Sequence, residues 1–468
     1  MGSVALPVEE APRSFAGHPK GLYYLAFTEA WERFSYYGMT ALVVLYMVNQ
    51  LLLPGHVENI VGFAALRSAL ESVRGPLSVQ ALASQIFGLY TGFVYFTPLL
   101  GGLIADRWIG QRNAVVIGAL SMTGGHLAMA FEQSFLLALL LLVVGSGFLK
   151  GNISAQVGAL YPVDDEARRT RGFAIFSTGI NFGAVVGPIL CGVLAQAFGW
   201  HYGFGVAAVF MLAGLATYLA GYRHLPARVE RRQREGGPLT RADRRVVAAL
   251  VAVMVITIFQ SVSYYQLANV LPVWIQQHVA LGAGAFSIPI PWYQSIDPLF
   301  SILAVPLLFW LWRRQAAHGR EPGEMGKIGV GAWLAAASNL LLVVPILLAG
   351  DAAVHAVWPF LYCAGMGIAF IYYWPTLLAL VSRAAPAKIN ATMMGVAFMS
   401  LFVANNLIGW IGTYYERMTP AQFWSLHAGI AAVGGVLVLL FGRALGRVLA
   451  SGADQPLRPS AQTHEVER

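Results

Sequence analysis

Apolar residues in this chain come in long uninterrupted runs, separated by short polar turns. A helix that crosses a bilayer takes about 20 mostly apolar residues. Runs of that length lie near Tyr23–Leu53, Ala83–Ile104, Ala114–Phe131, Phe135–Ala159, Gly172–Phe198 and Phe204–Tyr222. Six more follow near Val246–Ile275, Trp292–Trp312, Ile328–Leu348, Val354–Val381, Ala391–Tyr414 and Phe423–Leu449. The pattern predicts an all-α membrane protein with 12 crossings.

The charges between the runs carry the orientation. From Arg223 to Arg245 there are eight arginines against three acids. The turns after the second, fourth, eighth and tenth runs are also basic, through Arg107 and Arg112, Arg168, Arg169 and Arg171, Arg313, Arg314 and Arg320, and Arg383 and Lys388. If the crossings alternate, all five segments face one side, and the positive-inside rule makes it the cytoplasm, with both termini there. The basic loop divides the chain into a six-helix bundle over 1–222, a linker over 223–245, a second bundle over 246–450 and a polar tail over 451–468. That tail and the segment before Phe15 are expected to lack fixed structure.

Composition agrees. The 468 residues are 57% hydrophobic and only 11% charged, against about 25% charged in soluble domains. A net charge of +8 raises the question of nucleic acid. The basic residues, however, sit in short turns, where they suit an anionic leaflet, and no nucleic-acid partner is expected. Cys191 and Cys363 lie in apolar stretches and form no disulfide framework. The first run carries charges and no small-residue cleavage site, so it is not read as a removable signal.

Chemistry concentrates in that first run. Glu29, Glu32, Arg33, Tyr36 and Tyr37 stand at offsets of 0, +3, +4, +7 and +8, one face of a helix. An ionisable group at the centre of a spanning helix costs about 2.5–3.5 kcal/mol on insertion scales. Three of them are tolerable only toward a bundle interior or a wet cavity. Arg33 either neutralises a glutamate structurally or works in a functional site. Lys150, mid-way along an otherwise uncharged fourth run, needs an acid, and the first-run glutamates are the acids at comparable depth in that half. Protonating such a glutamate would break the pair, so a glutamate–lysine lock would link proton binding to helix movement.

The same residues carry a resemblance. Glu29, Glu32, Arg33, Phe34, Tyr36 and Tyr37 fall in the E-x-x-E-R-F-x-Y-Y spacing of the proton-dependent oligopeptide transporters, a branch of the major facilitator superfamily. Gly101, Gly102, Asp106 and Gly110 resemble the family's G-G-x-x-A-D-x-x-x-G turn. Gly147, Lys150 and Asn152 resemble G-x-x-K-P-N with glycine in place of proline, and Phe176, Ile180, Asn181 and Gly183 resemble F-x-x-x-I-N-x-G. Ile296, Asp297, Pro298 and Phe300, and Ala385, Pro386, Met393, Met394 and Gly395, match in the second half. The resemblance implies the superfamily fold, two six-helix halves rocking about a central cavity. It also implies a proton-coupled symporter that imports di- and tripeptides, with no cofactor or metal, protons as coupling ion, and a monomer as working unit in a bacterial inner membrane. Arg33 and Lys150 would face the peptide carboxylate, and Glu29 and Glu32 would join the proton-sensitive pairs. Tyr37, Tyr95 and Asn181 would line the pocket.

The chain also departs from that family. Where it usually has glutamates in the seventh and tenth helices, the sequence reads Ser263, Tyr264, Tyr265 and Gln266, and Tyr372, Tyr373, Trp374 and Pro375. The acid left at membrane depth in the second half is Asp297, where asparagine is common. Asp297 either replaces the missing glutamates, binding the peptide's amino end, a proton or Arg33, or caps the eighth helix ahead of Pro298. Tyr264 and Tyr265, with Tyr372, Tyr373 and Trp374, are candidates for the cavity wall, or singly for packing or lipid contact. Asn405 and Asn406 would serve the pocket or bridge helices, His126 would bridge helices or relay a proton, and Asp106 with Arg107 would lock a cytoplasmic loop.

Two further readings stay open. The same fold could carry another small anion or a drug-like molecule, since the missing glutamates leave the substrate less constrained. A membrane receptor or enzyme is a separate class, but no nucleotide-binding glycine loop and no metal-spaced histidines accompany it.

Overall fold

In a computed structural model, the described residues are 14–162, 165–226, 238–283, 286–350 and 352–453. Much of the basic linker (227–237), the polar tail from 454 and the segment before Ser14 lie outside them. The first six long helices are α1 (Lys20–Tyr46), α3 (Val79–Ile104), α4 (Gly110–Ala128), α5 (Phe135–Ala159), α6 (Glu166–Phe198) and α7 (Trp200–Gly221). The second six are α8 (Arg241–Asn269), α10 (Tyr293–Ala317), α11 (Glu324–Ala349), α12 (Val357–Ala384), α13 (Asn390–Gly412) and α14 (Pro420–Ala453). Two shorter helices, α2 (Phe63–Arg74) and α9 (Leu271–His278), follow α1 and α8. Among the described residues, ten helical runs qualify as spans by length and apolarity alone. One of them, Val79–Ala128, holds both α3 and α4, which part at Gly110, a residue at φ 75°. The run that composition overlooks is α1, because Glu29, Glu32 and Arg33 lower its hydropathy.

Several helices start earlier than apolarity alone predicts, because polar caps extend them. Thr240 and Asp243 form a reciprocal capping box that starts α8 five residues before Val246, inside the basic linker. Asp165 accepts the Arg168 N–H at 3.2 Å and starts α6 at Glu166. Phe63, Leu66 and Leu70 recur at helical spacing in α2, but 12 residues are too few for a crossing.

Within the first six long helices α1 packs on α6 and α7, and α4 on α5. Within the second six α11 packs on α12 and α14, and α8 on α13 and α14. The two sets meet chiefly along α3–α13 and α6–α10. The α1–α6 contact is backbone on backbone. A Cβ at Gly179 would sit 2.6 Å from the Ala26 carbonyl oxygen, and one at Gly183 would land on that of Ala30. Both glycines lie on one face of α6, so any larger residue would push α1 away. That close approach fixes the face of α1 that carries the ionisable groups.

Candidate functional site

Glu29, Glu32 and Arg33 are all buried. The Arg33 Nε lies 2.9 Å from Glu29 Oε1 and 2.5 Å from Glu32 Oε2. Neither carboxylate lies along the Nε–H direction, so these are charge contacts rather than aligned hydrogen bonds. One guanidinium thus serves two carboxylates, and the trio carries a net negative charge when both are ionised.

Lys150 departs from the expected lock. Among the described residues no carboxylate comes within 4.0 Å of its ammonium. Nζ lies instead 4.4 Å from the centroid of the Tyr36 ring and 5.5 Å from that of Tyr95. The π faces hold the cation, while Arg33, one turn from Glu29 on the same helix, takes both acids. Tyr36 also lies 5.6 Å from the Arg33 guanidinium carbon, so its ring stands between the two cations. It belongs to the helical face that the sequence predicts, though the spacing assigns its ring no role.

From Tyr95 the contacts cross to the other set of helices. Its hydroxyl is 3.0 Å from that of Tyr265. The Tyr265 ring meets Tyr264 edge-on at 5.1 Å, and Tyr264 donates its hydroxyl to Asp297 Oδ2 at 2.6 Å. Asp297 is therefore not a helix cap. Its helix, α10, begins at Tyr293, four residues earlier, and the carboxylate accepts from a neighbouring helix rather than from its own first turn. Asp297 Oδ1 is buried and has no hydrogen-bond partner among the described residues. Tyr37 lies edge-on to Tyr36 at 5.3 Å. Asn181 is half-buried on α6, two residues before Gly183.

Other expectations fare differently. Asp106 accepts from Gln111 at 2.8 Å and forms no ion pair with Arg107. Neither ring nitrogen of buried His126 has a hydrogen-bond partner among the described residues, so it bridges no helices here. Asn405 and Asn406 donate to the Leu401 and Phe402 carbonyls of their own helix. Tyr372 packs edge-on against Trp312 and Trp374 against Phe398, whereas Tyr373 joins the Tyr264 cluster.

Sequence reasoning did not find the hydrogen bonds that tie the two sets of helices on the side away from the basic turns. Asn49 and Gln276 exchange amide bonds of 3.1 Å. Ser295 donates to the Val185 carbonyl at 2.7 Å, Trp292 to that of Ile189 at 3.1 Å, and Ser78 to Glu416. On the basic side no side-chain hydrogen bond joins the two sets among the described residues. This conformation is closed at one end.

The family model of the Major Facilitator Superfamily matches residues 33–409. The chain belongs to that superfamily: it is a multi-pass integral membrane transporter, not an enzyme. Within it, the chain is 27% identical to a di-/tripeptide transporter of Lactococcus lactis subsp. cremoris, over 92% of this chain and 97% of that protein. It is 28% identical to the peptide transporter YePEPT of Yersinia enterocolitica, over 92% and 95%. Among solved structures, the peptide transporter POT in complex with sulfate is similar with a TM-score of 0.82 and 27% identity, covering 93% of this chain and 97% of that one.

Proposed function

We infer that this chain is a proton-coupled symporter that imports di- and tripeptides by alternating access. The observation that carries the reading is the line of side chains from the Glu29–Arg33–Glu32 cluster, past Lys150 and the tyrosines, to Asp297. It puts Arg33 and Lys150, beside the two glutamates, on one set of helices and an acid on the other; once a glutamate is protonated the first end is net positive, and the pair of ends is complementary to a zwitterion lying between them. Arg33 and Lys150 take the peptide carboxylate, for which a guanidinium offers two parallel N–H bonds. Asp297, with one oxygen already fixed by Tyr264, offers the other to the amino end. Tyr37, Tyr95, Asn181, Tyr264 and Tyr265 form the walls, each tyrosine giving an apolar face and a polar tip.

Coupling resides in Glu29 and Glu32. With both ionised, Arg33 is held between them. Proton arrival on one carboxylate loosens that hold and frees the guanidinium for the peptide. Lys150 stands ready on its aromatic faces and takes up a glutamate in another conformational state. Asp297 is a second proton acceptor when no amine occupies it. Reorientation follows because the loaded, protonated carrier has a different preference between states than the empty one. The bundles over 1–222 and 246–450 rock as units, joined by the basic linker. The monomer is the working unit in the lipid of a bacterial inner membrane, with both termini cytoplasmic, so the closed end faces outward.

The test is uptake of labelled di- and tripeptides by the reconstituted chain under an inward proton gradient, against a panel of small anions and drug-like molecules. The absence of acids in α8 and α12 near the site favours including that panel. Preference for a non-peptide anion would replace the peptide reading and leave the coupling intact.

A further inference from the structure

Away from this site, a cavity of about 460 Å³ opens at the seam where α6 meets the start of α10 and of α12. Its walls include Val185 and Ile189 of α6, Trp292 and Ile296 from the start of α10, and Val357 and Phe360 of α12. Its polar side chains are already engaged. The Ser295 hydroxyl donates to Val185, and His355 Nδ1 accepts the Val357 N–H at 3.2 Å. Ordered water needs two to four polar partners, and a polar solute needs more, so the lining suits hydrocarbon. The size lies within the range of small-ligand sites, about 300–1,000 Å³.

The mouth says which hydrocarbon. Leu299 at its rim begins a row on one face of α10 that continues through Leu303 and Leu307, exposed by 38%, 60% and 62%. In a multi-pass membrane protein that row faces lipid, so the cavity is the end of a groove already wetted by acyl chains. Its walls belong to both sets of helices, and the Ser295–Val185 and Trp292–Ile189 bonds hold them together.

We propose that this cavity binds one acyl chain of a membrane phospholipid, and that occupancy favours the conformation in which α6 and α10 are joined. A chain inserted between the walls stabilises the state in which both walls are present, by linkage. Lipid thereby acts on the outer closure without touching the peptide site.

The test uses the full chain in proteoliposomes doped with a phosphatidylcholine carrying a photoreactive group midway along one acyl chain. Labelling along 288–299 and 355–360 is expected to exceed, several-fold, labelling at Leu439 and Leu440 of α14, which are more exposed at 70% and 67%. Ile189→Trp fills the cavity and should bring that labelling down to the α14 level. Ser295→Ala adds no bulk but loosens the seam, and should lower it partially. A photoreactive free fatty acid forms a second arm; labelling by it alone would overturn the assignment to phospholipid. Labelling in the unmodified chain no stronger than on α14, or unchanged by both substitutions, would overturn the site itself. Neither readout depends on peptide or proton transport.

Discussion

Tyr264 of α8 holds Asp297 of α10 through a hydroxyl–carboxylate bond of 2.6 Å, in a set of helices whose seventh and tenth crossings lack the acids common among the peptide carriers this sequence resembles. The second carboxylate oxygen is buried and unpartnered among the described residues, an arrangement that holds an acid ready for a cation. Asp297→Asn keeps the shape and removes the charge. A charge-assisted hydrogen bond is worth about 1.5–3 kcal/mol, so kcat/KM for peptides with a free amino end should fall about 10- to 100-fold. For N-acetylated peptides it should change little. Equal losses for both classes would remove Asp297 from the amino-end role.

Glu32 is the fully buried partner of Arg33. Glu32→Gln should abolish uptake driven by a pH gradient while leaving counterflow of labelled peptide measurable. Uptake that still follows the gradient would place the coupling proton elsewhere.

The Tyr95–Tyr265 hydroxyl pair joins the two sets of helices at 3.0 Å. Each Tyr→Phe change removes one bond of about 0.5–1.5 kcal/mol. Either one should therefore shift the carrier about 2- to 10-fold toward the state open on the outer side. Labelling of an Asn49→Cys background with an impermeant thiol reagent reads this, since Cys191 and Cys363 are buried. The double substitution should exceed neither single one, because both remove the same bond.

Gly183→Ala should lower thermal stability and uptake together. Overpacking of a tight core costs about 1–3 kcal/mol, and the new Cβ would meet α1 beside Arg33. Gly205→Ala, with nothing within 4 Å of its Cβ, is the matched control and should leave both measurements unchanged.

Outside the membrane, His18 lies 2.8 Å from the Tyr161 hydroxyl. Burial, then Arg168 and Arg171, push its imidazole below the usual histidine value. A depressed histidine contributes stability that is present above the unfolded value of about 6.5 and lost as pH falls through the folded one. Protection factors for the amides over 14–18, taken relative to the intrinsic exchange rate at each pH, should therefore fall as the medium is acidified below that value. His18→Gln should flatten the profile.

The sequence made the crossings and the α1 face legible, because charges inside an apolar run are rare and their helical spacing is unambiguous. Pairing was less legible. Depth along α5 put Lys150 level with the glutamates but could not give its azimuth, and the Tyr36 ring intervenes. Asp297 before Pro298 read equally well as a cap. The short turn over Ile290–Trp292 starts the helix earlier and moves Asp297 inside it. The closing bonds from Ser295 and Trp292 end on main-chain carbonyls, which every residue carries, so no side-chain pattern announces them.

The central claim is that peptide entry and proton entry are one event governed by the buried Glu29–Arg33–Glu32 cluster. It is tested most directly by following lumenal pH in proteoliposomes, without an imposed gradient, after external dipeptide is added. The account predicts acidification that tracks peptide uptake and disappears in Glu32→Gln. Peptide accumulation with no change in lumenal pH would contradict it.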